Sequence, residues 1–432
     1  MVRSCKISIG LLLVAATLLF SFPLSALAEP RDAEARSVVR AVVDKLCTAG
    51  VDDPMTLAAA LPGLALADVE DAGPAGGWLR REIRLVDAAA DRAVVVRALR
   101  PGGTLRRLDV ELQRLGEDAP LLLALADADC TVIHARALRY EDGTAAELLL
   151  LAPNLETVTA REPLNPAVPD GVDPGGVTVA HIDSGVNYLL PQIAVRLARD
   201  DAGRILGYDF WDLDGRPFDG DTRRSPFFPI RHGTQVASLL LREAPAVRLL
   251  PFRYPRPDMT RLADAVSSAQ AAGAAIMAMP LGSTRQADWI AFEEAARAHP
   301  GMLFIASAGN DGRDIDAKPL YPASLSLDNM IVVTSADAAG YAAPGSNWGA
   351  ASVDLLIPAE DMTVTGFDGA PTRGSGSSFA VPRVAALAAR LKADHPDWQA
   401  AELKRAIFAR AVAQPADAVR AVAVGWIPSP AE

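Results

Sequence analysis

The stretch that decides the fold reads Gly374-Ser375-Gly376-Ser377-Ser378-Phe379-Ala380-Val381-Pro382-Arg383-Val384-Ala385. Small residues precede Ser378, and an apolar segment without glycine follows as far as Lys392. Its spacing predicts a helix with one buried face, formed by Val381, Val384, Ala385, Ala388 and Leu391. We expect Pro382 in the first turn, where no backbone donor is needed. Ser378 would then lie where free N–H groups stabilise negative charge, although a flexible loop before a core helix gives the same pattern.

Three further stretches contribute polar side chains beside apolar segments. Asp183 ends the apolar run 177–183, His232 precedes a Gly-Thr step that starts a helix, and Asn310 follows the apolar run 304–308. Each has an ordinary structural alternative: a turn-capping acid, a structural histidine or a turn-forming asparagine. Strands and helices alternate after residue 177, which predicts a parallel sheet covered on both faces, with polar groups gathered at its carboxyl edge.

Together these residues occur in the chain order Asp183, His232, Ser378, which is the order of the triad in subtilisin. The sequence resembles the subtilisin-like serine proteases over roughly residues 175 to 425. The resemblance is carried by Ile182-Asp183-Ser184-Gly185, His232-Gly233-Thr234, Ser307-Ala308-Gly309-Asn310 and Gly376-Ser377-Ser378-Phe379-Ala380-Val381-Pro382.

The resemblance implies a serine endopeptidase that cleaves polypeptides without a redox or organic cofactor. Ser378 would be the nucleophile, His232 the general base, and Asp183 the group that orients the imidazole. The amide of Asn310 and the N–H of Ser378 would bind the oxyanion. The substrate would pair with two segments that line the cleft, formed by Leu281, Gly282, Ala306, Ser307, Ala308 and Gly309.

Some positions depart from the family pattern. Ser377 replaces a threonine, Phe379 a methionine and Arg383 a histidine, and Pro280 stands where serine is common. None of these changes removes a catalytic atom, but they keep open a weak or inactive relative that binds peptides or partners. A non-peptide acyl hydrolase is a third reading, and the missing Gly-x-Ser-x-Gly elbow counts against it.

The first 28 residues have the order of a secretory signal peptide: a basic start, an apolar run and Ala26-Leu27-Ala28 before the expected cleavage point. An uncleaved membrane anchor is the alternative. After cleavage the protein would be secreted or periplasmic, with no membrane attachment. Cys47 and Cys130 then form an even pair, so that either one disulfide or two buried thiols is expected.

Four segments are predicted: a signal peptide at 1–28, a small α+β domain at 29–165, a linker rich in Pro, Gly and Asp at 166–176, and the catalytic domain at 177–432. The predicted fold is α/β, a subtilisin-like, doubly wound and mostly parallel sheet with helices on both faces. The N-terminal domain occupies the place of a pro-segment that inhibits the enzyme or helps it fold, or it is a permanent accessory domain.

The net charge and the acidic segments of the chain indicate which partners and ions it could bind. The net charge of −11 argues against nucleic acid as a partner. The acidic loop 208–221 before His232 suits a structural calcium ion, or is a solvated polar loop.

His181 lies two residues before Asp183, and on a strand both side chains would face the same way. It could act on the acid electrostatically, or be a buried, hydrogen-bonded histidine.

Overall fold

The structure is a computed structural model that describes residues 30–74, 77–116, 119–141, 143–416 and 421–431. The predicted signal peptide at 1–28 lies outside these residues. No helix in the described part of the chain is both long and apolar enough to cross a bilayer. The chain forms two compact units, one of Met1–Leu115 with Ala126–Thr131 and the other of Gly116–Leu125 with Val132–Glu432.

The described part of the first unit has two helices and four strands. They are α1 (Pro30–Ala49), α2 (Pro54–Ala59), β1 (Ala65–Ala72), β2 (Arg80–Asp87), β3 (Arg92–Leu99) and β4 (Arg107–Arg114), with a 3₁₀ turn at Pro101–Gly103. Neighbouring strands pair antiparallel in sequence order. Asp53 caps α2 by accepting a hydrogen bond from the N–H of Thr56 at 3.0 Å. Cys47 and Cys130, both in this unit, are joined by a disulfide.

The second unit begins with four more strands in sequence order, β5 (Ala119–Ala126), β6 (Val132–Glu141), β7 (Thr144–Leu151) and β8 (Val158–Pro163). Alternating leucines on these strands form an apolar cluster together with Phe227, a fully buried residue from the segment before His232. Arg136 on β6 donates a hydrogen bond to the carbonyl of Phe227 at 2.7 Å. This packing attaches β5–β8 to the loop that leads into His232.

The centre of the second unit is a parallel sheet. Its strands are β9 (Val177–Asp183), β10 (Tyr208–Asp209), β11 (Val247–Arg253), β12 (Ile276–Met279), β13 (Leu303–Ser307), β14 (Met330–Ala336), β15 (Leu355–Pro358) and β18 (Gly425–Trp426). Two further strands, β16 (Met362–Thr365) and β17 (Pro371–Gly374), form a separate antiparallel hairpin. The spatial order in the sheet is β10-β11-β9-β12-β13-β14-β15-β18, all parallel.

Helices cover both faces of this sheet. They are α3 (Pro191–Ala194), α4 (Gly233–Glu243), α5 (Leu262–Ala271), α6 (Ile290–Ala298), α7 (Ser377–Asp394) and α8 (Ala400–Phe408). Val179 of β9 packs in one apolar layer with α4, α7 and α8, whereas Ala180 and Ile182 pack in a second layer with α5 and α6. Side chains alternate across a strand, so these layers lie on opposite faces. The predicted α/β fold, doubly wound and mostly parallel, is confirmed.

Two expectations for α7 were wrong. The helix is buried nearly all round, because small alanines such as Ala386 and Ala389 let neighbouring elements approach its second side. Pro382 is the sixth residue of the helix, not part of its first turn. Proline has no N–H, so the carbonyl of Ser378 lacks the i+4 donor that it would have in a regular helix.

The predicted linker belongs to the second unit and is held there by hydrogen bonds and an ion pair. The N–H of Arg199 donates to Asp173 at 2.7 Å, and the same carboxylate pairs with Arg248 at 2.8 Å. The guanidinium of Arg199, which is only 4% exposed, donates to the carbonyl of Pro169 at 2.8 Å. Residues 166–176 therefore run along fixed partners near the amino end of β9.

Candidate active site

Asp183 and His232 form the centre of the candidate site. Asp183 is the last residue of β9, so the buried strand delivers its carboxylate to the carboxyl edge of the sheet. His232 immediately precedes α4. Nδ1 of His232 lies 2.8 Å from both Oδ1 and Oδ2 of Asp183. The carboxylate therefore holds Nδ1 as a donor and leaves Nε2 on the opposite side of the ring.

The pairing shifts both pKa values. Burial alone would raise the pKa of Asp183, but the charge of His232 and its hydrogen bond hold that pKa below its usual value. Burial alone would lower the pKa of His232, but the charge and hydrogen bond of Asp183 raise it above its usual value. An ionised acid beside an imidazole of raised basicity is what a general base requires.

A buried network fixes the position of His232. The hydroxyl of Ser184 accepts hydrogen bonds from the N–H groups of His232 at 3.2 Å and Gly233 at 2.9 Å. It donates to Asp219 at 2.6 Å, and Asp219 also accepts from the N–H of Thr234 at 2.9 Å. Burial raises the pKa of Asp219. The sequence analysis did not identify Ser184 and Asp219 as residues that position His232. The only sequence signal for Ser184 was its place directly after Asp183.

His181 is a buried neighbour of the pair. Its side chain is 1% exposed, and Nε2 lies 3.2 Å from the carbonyl oxygen of Gly233 and 3.8 Å from Asp183. Burial lowers the pKa of His181. A neutral ring that donates to Gly233 agrees with the buried, hydrogen-bonded alternative, and it adds a second tie between β9 and the start of α4.

Ser378 is the second residue of α7. Its Oγ contacts the carbonyl oxygen of Pro280 at 3.5 Å, and within the described residues no hydrogen bond joins it to His232. The ring of the next residue, Phe379, lies 6.1 Å from the ring of His232, centroid to centroid, so the helix start is beside the imidazole. The N–H of Ser378 is in the first turn, where helix N–H groups have no intrahelical acceptor.

Asn310 is oriented by the residue before Ser378. Its Oδ1 accepts from both the N–H of Ser377 at 2.9 Å and the Ser377 hydroxyl at 3.0 Å. The same hydroxyl accepts from the N–H of Gly309 at 3.1 Å. Because Oδ1 is occupied, the amide presents its Nδ2 donor on the other side. Gly376 has a φ of 109°, and a Cβ there would lie 2.8 Å from Oδ1 of Asn310, so glycine is required.

The six residues expected to contact substrate differ in exposure. Leu281 and Gly282 line a cavity together with His232. Ala306, Ser307 and Ala308 are at most 4% exposed, so their contact with a substrate stays a prediction. Gly309 contributes its N–H to Ser377, as described above.

The acidic loop 208–221, for which a structural calcium ion stays a prediction, contains several carboxylates that are paired with arginines. Asp209 and Asp212 both pair with Arg253, at 2.9 and 2.5 Å, and Asp221 pairs with Arg223 at 2.6 Å. No group of three or more His, Cys, Asp or Glu side chains in the described ranges is placed to hold a metal ion. Asp209, Asp212 and Asp221 are thus neutralised by arginine, whereas Asp219 of the same loop bonds to Ser184 and Thr234.

Comparisons with known proteins match the same part of the chain. The family model described as "Subtilase family" matches residues 175–426. The chain belongs to the subtilase family. All four residues singled out for catalysis in this subtilase, Asp183, His232, Asn310 and Ser378, lie within the matched range.

Two relatives show how far the sequence identity extends along the chain. This subtilase is 30% identical over 230 residues to the thermophilic serine proteinase of Bacillus sp. (strain AK1), a match that covers 50% of the chain and 52% of the relative. It is 27% identical over 237 residues to thermitase of Thermoactinomyces vulgaris, covering 51% of the chain and 77% of the relative. The chain thus spans about half the length of the first of these relatives.

Among solved structures, the A subunit of the AB5 toxin from E. coli shares the fold. The TM-score is 0.50 at 21% identity, covering 60% of this chain and 92% of that subunit. The structure of the subtilase cytotoxin assembly gives the same TM-score at 22% identity, covering 60% of this chain and 89% of that one. These similarities show the fold of this subtilase and no more than the fold.

Proposed function

We propose that this chain is an exported serine endopeptidase that hydrolyses peptide bonds with Ser378, His232 and Asp183. The observation that carries the proposal is the pair of 2.8 Å contacts between Nδ1 of His232 and the carboxylate of Asp183, at the sheet edge beside the start of α7. No cofactor takes part in this chemistry.

The reaction starts at the hydroxyl of Ser378. His232 takes the proton of this hydroxyl at Nε2 while Oγ attacks the scissile carbonyl carbon. Asp183 stabilises the imidazolium that forms. His232 then gives the proton to the leaving amine, and water releases the acyl group in a second, equivalent attack.

The negative charge that develops on the carbonyl oxygen needs donors. Nδ2 of Asn310 and the N–H of Ser378 are the two candidates, because neither donates a hydrogen bond to another described residue, whereas Oδ1 of Asn310 already accepts from Ser377. Fixed donors at an oxyanion cost no reorganisation during the reaction, and losing one typically costs about 3 kcal/mol in the barrier.

A second candidate function is an inactive or weakly active subtilase that binds peptides or partners. It is favoured by one observation: Oγ of Ser378 contacts Pro280 and not His232. Hydrogen bonds between nucleophile and base are often long before substrate binds, so the contact is compatible with both functions.

Export is supported by two features. The disulfide between Cys47 and Cys130 suits an oxidising compartment, and the residues before Glu29 have the order of a signal peptide. The destination is the medium or a periplasm. Expression of the full chain, followed by N-terminal sequencing of the exported product, tests cleavage after Ala28.

Of the two roles left open for the N-terminal region, we propose that residues 132–163 are retained in the working enzyme. They share an apolar cluster with Phe227, and Arg231 pairs with Glu162 of β8 at 3.5 Å, directly before His232. Cleavage near residues 161–177, followed by loss of the part of the chain before the cut, would expose this apolar cluster to solvent and break that ion pair. A role of the region as intramolecular inhibitor or folding aid is the competing outcome.

One experiment tests these proposals together. Residues 29–432 are treated with a fluorophosphonate probe, which labels an activated serine, with Ser378→Ala as the control, and the N-terminus of each product is sequenced. Labelling of the wild type alone, with turnover of peptides above that of simple esters, supports the endopeptidase. Folded wild-type protein that is not labelled contradicts it and leaves the peptide-binding function. A product starting near residues 161 to 177, absent from the control, contradicts retention.

A further inference from the structure

A cavity of about 210 Å³ opens beside His232 and runs along Leu281 and Gly282. One part of its lining is apolar and includes the buried side chains of Met259 and Trp289. This volume is below that of pockets for drug-sized ligands, and it suits a single side chain.

The other part of the lining carries charge. Two guanidinium groups, of Arg223 and Arg256, flank the ring of Tyr254, with their Cζ atoms 5.5 and 5.8 Å from its centroid. The acids that face the cavity are Asp183 and Asp221. The lining thus contains two formal positive and two formal negative charges, and the pairing among them decides what the cavity can bind.

Both acids already have partners. Asp183 is paired with His232, and Asp221 accepts from Nε of Arg223 at 2.9 Å and from its Nη2 at 2.6 Å. Arg256 is different: it forms no ion pair with a described residue, and its buried Nε has no hydrogen-bond partner among them. A buried donor without an acceptor is unfavourable, and a charged one more so. Arg256 is therefore the uncompensated cation of the cavity.

We propose that this cavity binds an acidic side chain of the substrate, with the guanidinium of Arg256 paired to its carboxylate. Glutamate fits better than aspartate, because its longer stem can lie on the apolar wall formed by Met259 and Trp289. A planar guanidinium and a carboxylate can form two parallel hydrogen bonds, which gives direction as well as charge.

The substrate position follows from the path of the cavity. Oγ of Ser378 lies at Pro280, and the cavity runs from His232 past Leu281 and Gly282, the segment expected to pair with an extended peptide. Alternate side chains of an extended peptide face the same way. The acidic residue is therefore expected before the scissile bond, and the second and the fourth residues, which share one face of an extended peptide, are the two positions tested. The inference rests on the proposed endopeptidase function and names its substrate class.

The test uses internally quenched peptides that are identical except for Glu or Gln at the second or the fourth residue before the cut. We expect the wild type to favour the Glu peptide in kcat/KM by roughly tenfold or more at one of these positions. In Arg256→Gln the ratio falls to near one, and Arg256→Glu favours a Lys peptide. Rates are divided by the fraction of protein that the fluorophosphonate probe labels, which corrects for misfolded protein.

The matched control is Arg285→Gln. The side chain of Arg285 is 77% exposed and does not line the cavity, so this variant removes one positive charge from the same region and keeps the wild-type ratio. A ratio that falls as much in Arg285→Gln as in Arg256→Gln overturns the inference, because general surface charge would then explain it.

The remaining outcomes separate this inference from the proposed function. Equal cleavage of Glu and Gln peptides at both positions overturns the inference and leaves the endopeptidase standing. If no peptide is cleaved, the proposed function fails, and binding of the same labelled peptides to Ser378→Ala decides the inference alone. Tighter binding of the Glu peptide supports it, and equal binding overturns it.

Discussion

Nδ1 of His232 lies 2.8 Å from each carboxylate oxygen of Asp183, and this contact raises the pKa of the imidazole against the opposing effect of burial. In the proposed reaction, the same contact dictates which ring nitrogen of His232 is left to accept a proton from Ser378. The acid limb of activity and the tautomer of the histidine therefore depend on one carboxylate.

Activity should rise with pH through the pKa of His232, because only the neutral imidazole accepts a proton. We expect the midpoint above the ordinary histidine pKa, since Asp183 raises it. Asp183→Asn removes the charge, so the midpoint moves to lower pH, and kcat falls by a factor on the order of 10⁴ through the wrong tautomer. The measurement is kcat/KM against pH for both proteins. An unshifted midpoint in the variant would show that another group titrates.

Ser377→Ala should lower kcat by about tenfold with little change in KM. Its hydroxyl donates to Oδ1 of Asn310 at 3.0 Å and accepts from Gly309, so its loss would loosen Asn310, the proposed oxyanion donor, without removing a contact to the bound substrate. Ser377→Thr keeps the hydroxyl and is the matched control, with activity near wild type. Steady-state kinetics on one peptide compare the three. A loss confined to KM in the alanine variant would contradict this role.

Phe227→Ala should lower the free energy of unfolding by about 3 to 5 kcal/mol, because the residue is fully buried in the leucine cluster of β5–β8. Phe228→Ala is the control: its side chain is 37% exposed and stacks on Arg136, so we expect about 1 kcal/mol. Urea unfolding measures both. Equal losses would mean that the cluster contributes little.

Reduction of the Cys47–Cys130 disulfide should destabilise the first unit. The bond closes a loop with a sequence separation of 83, for which chain entropy gives roughly 4.5 kcal/mol. Urea unfolding with and without a phosphine reductant measures the loss. The double variant Cys47→Ala/Cys130→Ala should unfold as easily as reduced wild type and should not respond to the reductant. A response in the double variant would point to a different reducible group.

The fold and the places of Asp183 and His232 in it could be predicted from local pattern, whereas the catalytic roles came from the resemblance to the subtilisin-like proteases. Asp183 ends an apolar strand and His232 precedes a helix, as periodicity indicated. The position of Pro382 was predicted wrongly, since proline tolerance was judged without the contacts that hold α7 in place.

Contacts between distant segments could not be predicted from one sequence. Asp219 was assigned to an acidic loop, and its bond to Ser184 became visible only when β9 and that loop were brought together. The unpaired state of Arg256 has the same origin: nothing in the local sequence says that Asp221 is taken by Arg223. Such partners depend on the three-dimensional arrangement of chain segments far apart in sequence.

The cluster that joins β5–β8 to Phe227 also has a consequence for biosynthesis. Leu148 leaves the ribosome roughly 80 residues before Phe227, which at 5–20 residues per second is a delay of roughly 4 to 16 s. During that interval Phe227 is not yet available to pack on the leucines of β5–β7, so the nascent chain exposes an aggregation-prone apolar surface. A holding chaperone that keeps this segment unfolded until synthesis is complete would protect the protein from aggregation.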